Sequence, residues 1–397
     1  MFLPRTPVFA WIFVACCLAT STRGATLARD EVEALKSIGS KLGTNWNFGS
    51  GIDPCSNGDE SWREPTRWEY IVKNVSCDDC SINNTCHIVG IVLKGQNLSG
   101  SLPPELVSLP YLQEIDLTRN YLSGTIPRQW GSMLQLVKIS LLGNRLTGSI
   151  PQELANLSNL TSLVLEHNHF SGNLPAELGN LPRIERLFLN SNNFTGELPQ
   201  TLARLTTLKE FRIGDNNFTG KIPSIFQNWK NIEQIHIVAS GLSGPIPDID
   251  SLGSLKELII SYLNGSEATF PRLSNLSNLE ILVLRSCNLI GELPKFLESF
   301  TNLQTLDLSF NKLGGEIQIS LPKVKDMFLT ENMFTGTVPL WIQNTNRRID
   351  LSYNNFTNTG VEGCNRNDLN LFASTSGINN SGAISCLGSL ICPVERK

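Results

Sequence analysis

Few side chains in this chain are spaced for chemistry, and none forms a recognised catalytic set. His167-x-His169 comes nearest to a ligand pair, yet it flanks an Asn in a turn and reads as a solvated surface feature. Cys77-x-x-Cys80 allows a zinc reading, but no His pair stands at suitable spacing. The sequence holds no Gly-rich phosphate loop, Walker sequence, His-Arg-Asp, Asp-Phe-Gly, Gly-x-Ser-x-Gly or paired-His motif. Its acidic pairs fall at positions that vary freely. The expectation is a binding protein, with no catalytic residue, no metal and no cofactor.

What the chain has in abundance is Asn-x-Ser/Thr, at Asn74, Asn83, Asn97, Asn156, Asn159, Asn193, Asn217, Asn264, Asn275, Asn355 and Asn379. In a secreted protein these are glycan acceptors on the surface. A second constellation is Val164, Arg186, Phe188, Arg212 and His236, which recur about 24 residues apart. An aromatic among arginines is the composition of a binding hot spot. The ligand expected there is a peptide or protein, with a cell-wall glycan as the alternative.

Both sets are positioned by one repeated unit. From Leu112 the pattern L-x-x-L-x-L-x-x-N-x-L-x-G-x-I-P returns every 24 residues. Aligned on its Asn, the unit recurs at Gln96, Asn120, Asn144, Asn168, Asn192, Asn216, Ser240, Leu263, Cys287, Asn311, Asn332 and Asn354, twelve times in all. A fixed period in the twenties marks a leucine-rich-repeat solenoid, an α/β repeat with a parallel sheet on its concave face. Each L-x-L should be a short strand whose apolar residues, such as Ile115 and Leu117, point inward while Asp116 faces out. The Asn should bond backbone in the turn and in the neighbouring coil, and Gly and Pro of G-x-I-P should bend and stiffen the crossing to the outer side.

The column between the paired apolar residues runs Val92, Asp116, Ser140, Val164, Phe188, Arg212, His236, Ile259, Val283, Asp307, Phe328, Asp350. At about 4.8 Å per strand it spans on the order of 50 Å. None of the sequons falls on an L-x-L strand, so this face is expected to stay bare. Two coils depart from the pattern. Cys287 occupies an Asn position as a buried thiol. The Leu263 coil is one residue short and lacks G-x-I-P, through a tolerated deletion or a local change of curvature.

The 397 residues carry a net charge of −4, with 41% hydrophobic residues; nothing is basic enough for nucleic acid. Residues 1–24 read as a secretory signal, with Arg5 before an apolar run from Val8 to Ala19 that is too short to span a bilayer. Residues 25–87 form an N-terminal cap with a helix over Leu27 to Leu42, and residues 88–358 hold the repeats. An open solenoid end exposes apolar interior, so a disulfide-bonded cap is expected. Cys55, Cys77, Cys80 and Cys86 allow three connectivities, and the expectation leans to Cys55–Cys77 with Cys80–Cys86. Residues 359–397, with Cys364, Cys386 and Cys392, are a C-terminal cap or linker.

With its G-x-I-P repeats the chain resembles plant leucine-rich-repeat receptor ectodomains. More narrowly, Ile91 to Pro104, Leu109 to Leu122 and Ile342 to Asn355, including Ile349-Asp-Leu-Ser-Tyr-Asn-Asn-Phe-Thr, resemble receptor-like serine/threonine kinases that carry a malectin-like domain after their repeats. That resemblance implies a single-pass plasma-membrane receptor with a cytoplasmic kinase, a ligand and a co-receptor. This chain ends at Lys397, where the second domain is expected to begin, so no kinase residue carries over and a membrane is reached only through a segment absent here. A free-standing secreted binder, similar to polygalacturonase-inhibiting proteins, is the alternative.

Overall fold

Strands of three residues, Glu114–Asp116, Lys138–Ser140, Ser162–Val164, Arg186–Phe188 and Glu210–Arg212, repeat along the chain because each buries one apolar residue inside the coil and another just beyond. Ile115 and Leu117, Leu163 and Leu165, and Leu187 and Leu189 are almost wholly inaccessible. The structure is a computed structural model that describes residues 26–44, 46, 54–55, 63–64, 71–78, 80, 85–343, 347–357 and 369–370. The signal segment, Asn83, Asn379, Cys364, Cys386 and Cys392 lie outside the described residues.

The strands pair in parallel at the repeat offset, as in Ile115↔Ile139, Leu163↔Leu187 and Phe211↔Ile235. They build one 15-stranded sheet along the concave face. Its core is a continuous row of Leu, Ile and Phe, each coil burying its apolar side against the next.

The Asn of each coil holds this stack together. The Oδ1 of Asn144 accepts from the Leu122 N–H at 3.1 Å, and its Nδ2 donates to the carbonyls of Leu117 and Leu141, each at 3.0 Å. Asn192 repeats the geometry with Phe170, Leu165 and Leu189. The residue before it is left-handed even where it is not glycine, as at His167 (φ 54°) and Tyr262 (φ 56°). At the Leu263 position the side chain offers no such bonds. The concave strand there, Glu257–Ser261, nevertheless pairs over its whole length with both neighbours.

The outer side carries more order than the repeat pattern announced. After most Pro residues of G-x-I-P, which sit extended (φ −64° at Pro151), the chain makes a five-residue 3₁₀ turn, as at Arg128–Ser132 and Gln152–Asn156, but not after Pro247. The residues after the ladder Asn form short strands of a second parallel sheet, in a five-stranded piece and a four-stranded piece. Between them only the isolated bridges Lys221↔Ser243 and Ser243↔Asn264 remain. The short coil thus interrupts the outer sheet and leaves the concave one intact.

The cap closes the first coil. The helix Arg29–Leu42 buries Leu35, Ile38 and Leu42 and ends at left-handed Gly43. Its carboxyl end bonds the first repeat through Gly100 N–H to Leu42 O (3.2 Å) and Ser101 N–H to Lys41 O (2.8 Å). Disulfides join Cys55 to Cys77 and Cys80 to Cys86. That removes the thiolates a zinc ion would need at Cys77 and Cys80. The Glu31 carboxylate, buried beneath the cap, bonds His87 Nδ1 at 2.5 Å and the Ile88 N–H at 2.7 Å.

Candidate functional site

Strand register places Val164, Phe188, Arg212 and His236 side by side on the concave face, one per coil, with Arg186 one step along the Phe188 strand. The sheet brings all five together. They are not free to act separately. The Arg212 guanidinium lies 4.3 Å from the centre of the Phe188 ring, in a cation–π contact. Arg212 also donates to Gln234 Oε1 at 3.0 Å and to Glu210 Oε2 at 3.4 Å. Glu210 accepts from Arg186 Nε at 2.8 Å. One carboxylate is therefore shared by two arginines.

Val164, Phe188, Arg212 and His236 are consequently half-buried, while Arg186 is exposed. Phe188 is covered by Arg212, and His236 Nε2 meets Glu257 Oε2 at 3.1 Å. Burial pushes His236 below its ordinary 6.5, against the Glu257 hydrogen bond, while Arg212 adds to the lowering. Burial likewise raises Glu166 above 4.5, with the charges of Arg212 and His167 opposing. Two buried polar atoms here, Arg212 Nε and Asn190 Oδ1, have no hydrogen-bond partner among the described residues. Perturbed groups and unpaired polar atoms together mark a candidate functional site.

On the amino-terminal side of Phe188 the face opens into a depression of about 410 Å³. Its lining includes Val164, Arg186, Phe188 and Glu210 together with Glu114, Asp116, Lys138, Ser140 and Ser162. Arg212 and His236 are not among its lining residues. The sequence reading did not place Glu114, Ser140 and Ser162 in the site, because a small or acidic residue in a repeat carries no signal until its neighbours are known. Asp116 was expected to face out. It stands on the concave side but is only 8% exposed, held by Lys94 Nζ at 2.9 Å and the Thr118 N–H at 3.1 Å.

The sequons need one correction. Asn74 lies on Val72–Cys77, an antiparallel strand that extends the concave sheet, where it pairs with Val92. The concave sheet is therefore free of sequons along its repeat strands but not at its amino-terminal end. Asn97, Asn193, Asn217, Asn264 and Asn355 are exposed just after the ladder position, with Asn193 and Asn217 on outer-sheet strands. Asn156 and Asn275 are exposed in the outer turns, and Asn159 is half-buried there. Asn159 and Asn275 spend their amides on Leu134 O (2.9 Å) and Asp250 Oδ2 (2.7 Å).

His167 and His169 are both exposed. Cys287 is a free, buried thiol whose burial raises its pKa to about 12, with Sγ 3.4 Å from the Ile260 and Arg285 carbonyls. It fills the ladder position as a weak donor and is not nucleophilic.

Known proteins agree with this architecture. Families described as leucine-rich repeat match residues 110–170, 183–205, 207–229, 278–300, 301–321 and 347–363. A probable leucine-rich repeat receptor-like serine/threonine-protein kinase of Arabidopsis thaliana is 47% identical over 126 residues, 30% of this chain and 12% of its own length. The chain thus spans a small part of that relative. The Arabidopsis receptor kinase HAESA, solved with the peptide hormone IDA and the co-receptor SERK1, superposes with a TM-score of 0.69 at 28% identity, over 83% of this chain and 58% of that one. A TDR receptor structure superposes with a TM-score of 0.59 at 28% identity, over 68% and 52%. Among the described residues no helix is long and apolar enough to cross a membrane.

Proposed function

We propose that this leucine-rich-repeat protein, whose coils are similar to those of plant receptor-like kinases, is the extracellular recognition region of such a receptor. In this reading it binds a peptide on its concave face, and a co-receptor engages the complex. The observation that carries the proposal is the preassembled Phe188–Arg212–Glu210–Arg186 cluster beside the 410 Å³ depression. It lies on the repeat strands, at positions the solenoid does not require. The motifs around Ile91, Leu109 and Ile349 support placing the chain among the receptors with a malectin-like domain. The sequons and the apolar leader support a secreted, glycosylated ectodomain.

Recognition here would use shape and paired charge. Because Glu210 is shared by Arg186 and Arg212, the cluster keeps one net positive charge that attracts a ligand carboxylate. That carboxylate then competes with Glu210 for the guanidinium groups, and an apolar side chain can enter beside Val164 and Phe188. The test is titration of the secreted ectodomain against the apoplastic peptide fraction, followed by purified hits. Phe188→Ala or Arg212→Ala should each weaken binding by about 2 kcal/mol, roughly thirtyfold. Gln200→Ala, on the outer 3₁₀ turn Gln200–Arg204, should not. Because Phe188 and Arg212 touch, the double variant should lose less than the sum. Equal affinity in all variants would move the site off this face.

A further inference from the structure

Five aromatic rings are strongly exposed among the described residues, at Tyr111, Tyr121, Tyr262, Phe310 and Tyr353. Three have a cover of their own. Tyr111 meets the His87 ring at a tilt, with centroids 4.1 Å apart, Tyr121 lies under the Arg145 guanidinium at 4.8 Å, and Phe310 under that of Arg285 at 4.3 Å. Tyr262 and Tyr353, 52% and 39% exposed, have no ring or cation partner among the described residues. They differ from the other three in sequence as well. Each stands two residues before a sequon Asn, in Tyr262-Leu-Asn264-Gly-Ser266 and Tyr353-Asn-Asn355-Phe-Thr357.

In both turns the ring and the sequon Asn flank the ladder residue. Tyr262 and Tyr353 are the left-handed residues of their turns (φ 56° and 55°). The residue that follows each of them occupies the ladder position: Leu263 is buried, and Asn354 sends its amide back to Leu329 and Leu351. The flanking Tyr and Asn are both exposed. Phe310 sits at the same position of its own coil, but Lys312 replaces the sequon there, and its cover is Arg285. Where the sequon is missing a cation lies on the ring; where it is present the ring is left open.

We propose that Tyr262 and Tyr353 are stacking platforms for the first sugars of N-linked glycans on Asn264 and Asn355. The negative face of a phenol ring attracts the weakly positive C–H hydrogens on the apolar face of a pyranose, as it attracts a cation. Glycosylation leaves one hydrogen on the amide nitrogen, so the 3.4 Å bond from Asn264 Nδ2 to Gly241 O is compatible with it. Each glycan thereby covers a ring that would otherwise meet water. The proposal rests on the secretory reading above.

The test uses the full chain secreted from insect cells. Site-resolved mass spectrometry should find glycan on Asn264 and Asn355; an unmodified chain would overturn the secretory reading and this proposal with it. Tyrosine nitration of the folded protein, mapped by mass, then probes the rings. Asn264→Gln should raise nitration of Tyr262 severalfold and leave Tyr353 unchanged, and Asn355→Gln should do the reverse. Enzymatic removal of glycans from the folded wild-type protein should expose both rings, which covers the case of a variant that is not secreted. Occupied sites with nitration unaffected by loss of the neighbouring glycan, or both rings rising together in either variant, would overturn the stacking alone.

Discussion

His236 and Glu166 show how one concave face tunes two titrations in opposite directions. Burial lowers His236 from 6.5, so the folded chain keeps its ring neutral while the unfolded chain takes up a proton near 6.5. The stability tied to the neutral ring is present above pH 6.5 and is lost as pH falls through the folded value. Glu166 is raised from 4.5, so its contribution is present at low pH and lost as pH rises through its folded value. Between these windows the two oppose each other. In a Glu166→Gln background, urea unfolding at pH 7.5 and 5.5 should show a loss on acidification, and adding His236→Gln should diminish it. An unchanged loss would mean that another group governs the acid limb. Glu257, which accepts from the His236 ring, is the first residue to examine in that case.

At the level of the element, the strand and its turn depend on one side chain per coil. Asn144 satisfies the Leu122 N–H and the carbonyls of Leu117 and Leu141, in two coils at once. Asn144→Ala would leave the Leu122 N–H buried and unpaired, while the Leu117 and Leu141 carbonyls keep the amides of Asn120 and Asn168; one such unpaired group costs about 1–3 kcal/mol. A destabilisation of about 1–3 kcal/mol in urea is expected, with no effect on secretion signals or sequons. Asn144→Cys should recover part of it, since Cys287 serves at the equivalent position with its thiol against the Ile260 carbonyl. If the two variants are equally destabilised, the donor role read from Cys287 is wrong. The buried tryptophans act similarly on the outer side, Trp130 donating to Pro103 O and Trp229 to Leu202 O, each at 2.9 Å.

For the whole molecule, the cap helix meets the first coil in a close backbone approach at Gly100. Gly100 has no side chain because a Cβ there would run into the Lys41 carbonyl oxygen and the backbone of Leu42 and Gly43. That contact is backbone to backbone, so no side chain can swing away. Gly100→Ala should therefore lift the carboxyl end of the helix from the repeats and break the bonds from Gly100 and Ser101. In a solenoid each unit is stabilised chiefly by its neighbours. Hydrogen exchange should accordingly rise in residues 29–42 and the first coil, while coils beyond Asn192 keep their protection. Uniform loss of protection along the chain would show that the stack unfolds as one cooperative unit.

The repeat period, the inward Leu and Ile residues, the Asn ladder and the capping helix were legible in the sequence, because each is a short-range pattern with one physical cause repeated many times. Gly and Pro likewise marked where the chain crosses to the outer side. The split outer sheet was not legible, since its strands are two to five residues long and form only when adjacent coils are stacked. Nor was the fate of individual exposed residues. Phe188, Tyr121 and Phe310 look alike in the sequence as solvent-facing rings, yet each is covered by an arginine from a neighbouring coil. Asn74 reads as a cap sequon and stands on an extension of the concave sheet. Register between residues 18 to 25 apart decides these pairings. A residue's type sets what it can bond; only the stacking of coils decides which partner arrives, and so whether a ring, a carboxylate or an amide is left open to a ligand.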